Sequence, residues 1–209
     1  MKDITYTMIL RGCAVAAASI IIAGTTTASA QQNADRRTAG DNLPELGLPL
    51  DIPLILSGNF GELRRNHFHS GLDFKTQGRT GLTVRSADDG YVSRIVASPW
   101  GFGRAVYVTH HSTGLTTVYG HLEAFSPTID KRVRAEQYAR ETFSIDMNFL
   151  PGELPVKRGE AIGRSGNAGS SGGPHLHMDV RDTRTGDPLD PMVYYRRHIK
   201  AVSYTHLRA

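Results

Sequence analysis

Disulfide bonds cannot hold this chain together, because it has one cysteine, Cys13, and a bridge needs two. Cys13 also falls inside an N-terminal stretch that reads as a leader, so the processed chain would carry no thiol. An exported protein without cysteine must be held by its core, with help from a metal where one is bound. No Lys/Arg run is dense enough for a nucleic-acid patch, although the net charge is +4 and the pI about 9.3. The longest apolar run, Cys13 to Gly24, is too short to span a bilayer comfortably. These absences leave an ordinary globular chain of 209 residues, enough for one domain with extensions.

Residues 1–30 have the build of a secretory signal peptide. Lys2 and Arg11 precede or enter the apolar run, and Ala28-Ser29-Ala30 is an A-x-A cleavage site. An uncleaved membrane anchor is the alternative. After processing, no stable membrane span is expected, and the product is placed in the periplasm or cell envelope. Residues 31–50 are expected to be a flexible lead-in, most clearly over Gln31–Asn42. Pro44, Pro49 and Pro53 bias their surroundings towards extended geometry, so Leu43–Leu56 is read as an arm packed on the domain. The domain proper is drawn at 51–198. Residues 199–209 are treated as a truncated or non-native tail, since Val202–Ala209 resembles translated adapter read-through.

Between these ends the chain reads as mainly β. Asp88-Asp89-Gly90 is a hairpin signal and Tyr91–Val96 is rich in strand formers. Gly101-Phe102-Gly103 and Ser112-Thr113-Gly114 punctuate two further strands. The expected architecture is an antiparallel sandwich or barrel-like fold with one short inserted helix near Asp130–Glu141, capped by Asp130.

Three stretches carry the chemistry. His175 and His177, one residue apart on a strand, share a face. His69-Ser70-Gly71-Leu72-Asp73 offers a nitrogen and an oxygen donor, with His69, Gly71 and Asp73 on one face if extended. Tyr119-Gly120-His121-Leu122 lies between them. A catalytic zinc takes three protein ligands and keeps a position open. His69, Asp73 and His177 supply a suitable set, which leaves His121 and His175 for proton transfer or for facing a developing oxyanion. Spacing does not say which does which. Singly, each motif is as readily a packed or surface pair. His67, His110, His111 and His198 are read as structural or solvent-facing. Asp179 shares the face of His177, where it either orients a ligand or is a plain strand carboxylate.

From about Leu54 to Pro191 the chain resembles the lysostaphin/LytM-type zinc endopeptidases. The matching pieces are His69–Asp73, the stretch around Asp88-Asp89-Gly90, Tyr119–Leu122, and Ser165-Gly166 through Gly173-Pro174-His175-Leu176-His177. The resemblance implies a duplicated hybrid motif of β-strands with a groove between loops. It implies one Zn2+ on His69, Asp73 and His177, with His121 and His175 catalytic, and the peptide stems of peptidoglycan as substrate. Asp179 stands where glutamate is common and Gly120 where alanine is frequent. No tyrosine lies between Gly58 and His69, where some members use one. Two other functions are open to such a sequence: a catalytically silent LytM-like regulator of cell-wall amidases, and a carrier domain modified on Lys157 or His175.

Overall fold

The computed structural model describes residues 43–64 and 66–199. The signal peptide at 1–30, the lead-in as far as Asn42 and nearly all of the tail lie outside the described residues.

In chain order the strands are β1 (Leu56–Gly58), β2 (Leu72–Lys75), β3 (Thr83–Arg85), β4 (Gly90–Ala97), β5 (Arg104–His110), β6 (Leu115–Leu122) and β7 (Ala124–Phe125). Then follow β8 (Ile145–Asn148), β9 (Pro155–Val156), β10 (Ala161–Arg164), β11 (His175–Asp182) and β12 (Pro188–Leu189). The helices are α1 (Pro127–Arg140) and α2 (Met192–Tyr195). A large antiparallel sheet runs β1-β2-β11-β6-β5-β4-β8, with β12 on β11 and β9 on β4. A small one runs β3-β10-β7. Both sheets are open, so the fold is mainly antiparallel β without a closed barrel.

One buried cluster draws on both sheets. Leu72, Phe74, Leu176, Met178 and Val180 come from the large sheet, and Val84, Phe125 and Ile162 from the small one. Alternation along β11 explains its face. Leu176, Met178 and Val180 point into the core, while His175, His177, Asp179 and Arg181 form a polar file on the other side.

Leu46, Leu50 and Leu54 are each 1% exposed. Burial of each contributes roughly 1.5–3 kcal/mol before entropy is counted. The described part of the 31–50 segment is therefore packed, as the extended-arm reading of Leu43–Leu56 expects; Leu50 also bridges to Val84.

Three local expectations are corrected. Asp88-Asp89-Gly90 is not a hairpin turn, because β3 before it pairs with β10 and β4 after it pairs with β5 and β8. It carries the chain from one sheet to the other. The inserted helix begins earlier than expected, with Pro127 at its first position and Ser126 before it. Asp130 does not cap; it sits in the first turn, where it pairs with Arg134. Finally, the second short helix α2 has no counterpart in the sequence reading. Its Tyr195 is fully buried and its hydroxyl donates to the Gly47 carbonyl at 3.1 Å, tying it to the arm.

Candidate metal centre and active site

Strand register puts the first two site residues side by side. On the paired strands β11 and β2, His177 stands opposite Asp73, and on β11 and β6 it stands opposite Gly120. Directly opposed residues share a face, so the Asp73 carboxylate and the His177 ring meet. His69 reaches them from the loop before β2, not from a strand; β2 starts only at Leu72. Backbone bonds fix that loop: His69 N–H donates to Glu62 O, and Gly61 N–H to His69 O, both at 2.8 Å. Gly71 allows the close approach, since a Cβ there would lie 2.3 Å from Met178 O and 2.5 Å from Asp179 Oδ1.

The three donor atoms form a nearly equilateral triangle. His69 Nε2 to His177 Nδ1, His69 Nε2 to Asp73 Oδ1, and His177 Nδ1 to Asp73 Oδ1 are each 3.0 Å. All three residues are buried. The hydrogens are then assigned by the outer partners. His69 Nδ1 lies 2.7 Å from the Asn59 carbonyl, which only accepts, so Nδ1 carries the hydrogen and Nε2 is bare. His177 Nε2 lies 2.6 Å from Asp179 Oδ1, so that nitrogen donates and, in the neutral ring, Nδ1 is bare. With both imidazoles neutral, three lone-pair-bearing atoms face one another, an arrangement that repels itself unless positive charge lies among them, either a proton on His177 Nδ1 or a metal ion. Ligands about 2.0–2.1 Å from a tetrahedral ion would be separated by about 3.3–3.4 Å. The observed triangle is slightly tighter, and the residues fit a zinc site.

Electrostatics agree. Burial works against a charge on His177, but its hydrogen bonds to Asp179 and Asp73 overcome this and hold its pKa up to about 9. Burial likewise opposes ionisation of Asp73, yet its bonds to His175, His177 and His69 keep the carboxyl far below its usual range. The centre wants positive charge. Asp179, fully buried, accepts from Ser70 Oγ at 2.9 Å and from Arg181 Nε at 3.0 Å. It therefore orients His177, one of the two roles open to it in the sequence.

His121 arrives by a bulge. Gly120 and His121 together oppose Ala105, because Arg104 pairs with Leu122 and Val106 with Tyr119. His121 has φ +59°, in the left-handed region, which breaks strand alternation and returns its ring to the His177 side. Ring centroids are 4.7 Å from His175 and 5.8 Å from His177. Its Nδ1–H donates to Ala168 O at 2.8 Å. Burial pushes its pKa down to about 4, and the neighbouring His175 and His177 add to this against the hydrogen bond to Ala168. His175 Nδ1–H donates to Gly173 O at 2.8 Å, and its Nε2 lies 3.4 Å from Asp73 Oδ1. All five sequence-named residues thus converge, and each imidazole has one nitrogen committed outward.

The cleft around them is lined by Arg64, His67, Phe102 and the Ser170–Gly172 loop, among others. Phe102 stacks on His177 with centroids 4.7 Å apart, and its carbonyl accepts from His121 N–H at 2.8 Å. A Cβ on Gly120 would come within 3.3 Å of the Phe102 ring. His67, His111 and His198 are exposed, and His110 is buried among polar partners. Lys157 faces Asp89 on the surface, away from the cleft lining. Sequence reasoning missed Asn59, Glu62, Arg64 and Phe102. Phe102 reads only as part of a turn, and tertiary contact alone shows the part these four take at the site.

Three buried donors with two further imidazoles on an open β-sheet are the side chains that metal binding beside proton transfer would need. Residues 67–139 match the model of Peptidase family M23. The match includes His69, Asp73 and His121 and stops short of β11. The DD-carboxypeptidase/endopeptidase Mpg of Neisseria meningitidis is 32% identical over 124 residues, which is 59% of this chain and 22% of that protein. A zinc-containing peptidase from Vibrio cholerae is 26% identical, with a TM-score of 0.50 over 72% of this chain and 40% of its own. Lysostaphin from Staphylococcus simulans, 20% identical, shares the fold with a TM-score of 0.53 over 75% of this chain and 55% of its own. The chain thus spans under a quarter of the curated relative's length, 22%.

Proposed function

We propose that this chain is an exported zinc endopeptidase that hydrolyses peptide cross-links of peptidoglycan in the periplasm or cell envelope. The observation that carries the reading is the triangle of bare donor atoms on His69, Asp73 and His177. His69, Asp73 and His177 would hold one Zn2+, which supplies a Lewis acid for a water molecule and for the scissile carbonyl. The protein's own groups do the rest. His121, kept neutral by burial, presents Nε2 as the acceptor for the proton of the attacking water. The proton that His121 takes from the water is the one passed on to the leaving amine, so none is consumed, and His175, on the opposite flank of Asp73, lines the place where charge develops. Asp179 holds His177 in the tautomer that leaves Nδ1 free.

The names of the relatives support the substrate class. The matched Neisseria protein is named a carboxypeptidase/endopeptidase, and the Vibrio neighbour a zinc-containing peptidase. A silent amidase regulator is not favoured by a site in which every donor and both extra imidazoles are in place. The test is digestion of purified peptidoglycan with zinc-loaded protein, with the fragments identified by mass. Cross-linked dimers should fall and monomers rise, and His177→Ala should abolish the change. Intact dimers in the presence of the loaded wild-type protein would sink the reading.

A further inference from the structure

Asp73 gives only Oδ1 to the triangle. Its Oδ2 accepts from Arg64 Nη2 at 2.9 Å. The same Nη2 lies 3.1 Å from Glu62 Oε2. Glu62 Oε1 accepts from Asn59 Nδ2 at 2.9 Å, and the Asn59 carbonyl accepts from His69 Nδ1 at 2.7 Å. A continuous run of polar contacts therefore leads from Asp73 through Arg64, Glu62 and Asn59 to His69, outside the triangle. Position 58 makes the room for it. A Cβ there would stand 2.3 Å from Asp73 Oδ2 and 2.4 Å from Arg64 Nη2. Arg64 keeps this place although its Nε is buried with no acceptor among the described residues.

Resting on the metal reading above, we infer that Arg64 is a positioning residue for the bound ion. By taking Oδ2 it leaves Asp73 a single oxygen to offer. Through Glu62 and Asn59 it also holds the His69 ring with Nε2 turned inward. Without Arg64 the carboxylate is free to rotate, either presenting both oxygens or turning aside, and the triangle is no longer set before the ion arrives. Contacts that orient metal ligands typically change metal affinity by about 10–100-fold. Arg64 is about a third exposed (36%) but Asp73 is buried (10%), so removing Arg64 also leaves a buried carboxylate short of a partner and costs folding stability in the metal-free chain. Metal affinity is therefore compared on folded protein, where it reports the role separately from stability.

The full chain, stripped of metal, is titrated with Zn2+ against a chromophoric chelator. Arg64→Ala is expected to bind roughly 10–100-fold more weakly than wild type. Arg64→Lys, which keeps the charge, should recover part of the loss. Gly58→Ala, which separates the pair without removing either partner, should weaken binding in the same direction. Arg94→Ala, which breaks an exposed pair with Asp146, should bind as wild type does. Cobalt(II) in place of zinc should show a changed absorption spectrum in Arg64→Ala, reporting the altered carboxylate. If Arg64→Ala fails to fold, Arg64→Lys and Gly58→Ala decide the matter. Wild-type affinity and an unchanged cobalt spectrum in the folded variants overturn the role of Arg64 alone. A wild-type protein that takes up no zinc overturns the proposed function, and this role with it.

Discussion

The Nε2 of His69 and the Nδ1 of His177 face each other across 3.0 Å, and with both rings neutral neither carries a hydrogen. Each ring has spent its one N–H on an outward acceptor. With Asp73 Oδ1 at the same distance from both, the trio stores repulsion that a cation relieves. Zinc should therefore stabilise the folded chain by mass action, by about 2.7 kcal/mol when its free concentration is about 100 times Kd. For a chain of this size that is a rise in Tm of roughly 5–10 °C. Calorimetry of stripped protein, with and without Zn2+, measures it. His177→Ala should erase the response, and an equal Tm with and without zinc in the wild type would count against the site.

His121 and His175 should separate binding from chemistry. Neither supplies an atom to the triangle, so His121→Ala and His175→Ala should retain zinc. Each should slow release of muropeptide fragments by roughly 10²–10⁴-fold, the usual scale for losing a proton-transfer group. Metal analysis and fragment release on the same preparations give the split. Loss of zinc from His121→Ala would show that it belongs with the ligands.

The residues that carry the chemistry were legible because a strand's period of two makes His-x-His a face-sharing pair, and β11 delivers it. The partner motifs were legible as donor types, but not the manner of their arrival. His69 comes from a loop braced by Glu62, and His121 from a left-handed bulge residue. Neither feature leaves a period in the sequence. Asp88-Asp89-Gly90 has hairpin composition, yet the strand after it pairs with β5 and β8 in the other sheet, a choice made by packing. Arg64 draws no reading from the sequence, and only the register that places Gly58 beside Asp73 brings it to the site.

Gly103 and Gly169 fix the wall that carries His121. Both have positive φ, and a Cβ on Gly169 would lie 2.3 Å from Gly103 N and 2.4 Å from Gly101 O. Ser170 N–H donates to Gly101 O at 2.8 Å across the same seam, and Ala168 O receives His121 Nδ1–H. Gly169→Ala should force the two loops apart and loosen the His121 ring. The expected signature is a loss of turnover with zinc affinity within a few-fold of wild type, because Gly169 touches no ligand. Unchanged turnover would show that the seam does not position His121.

His110 gives the fold a separate sensitivity to acid. Its Nδ1–H donates to Asp89 O at 3.0 Å, so the neutral ring accepts at Nε2 from the Thr117 hydroxyl, 2.9 Å away. That hydroxyl is 3.0 Å from the Tyr119 hydroxyl, which receives Ala87 N–H at 2.7 Å. A second proton on His110 would turn an acceptor into a donor at the head of this buried run. Burial lowers its pKa below the ordinary 6.5, and the attraction of the Asp89 carbonyl and of Asp88 only partly offsets this. The sign follows. A histidine with a depressed folded pKa contributes stability that is present above about 6.5 and is lost as pH falls through the folded value. One proton taken up on unfolding steepens the fall by up to about 1.4 kcal/mol per pH unit. His110→Gln keeps a donor and an acceptor but does not titrate. Melting curves from about pH 7 to about pH 5 should therefore decline less steeply for the variant than for the wild type. Parallel declines would mean that the acid sensitivity arises elsewhere.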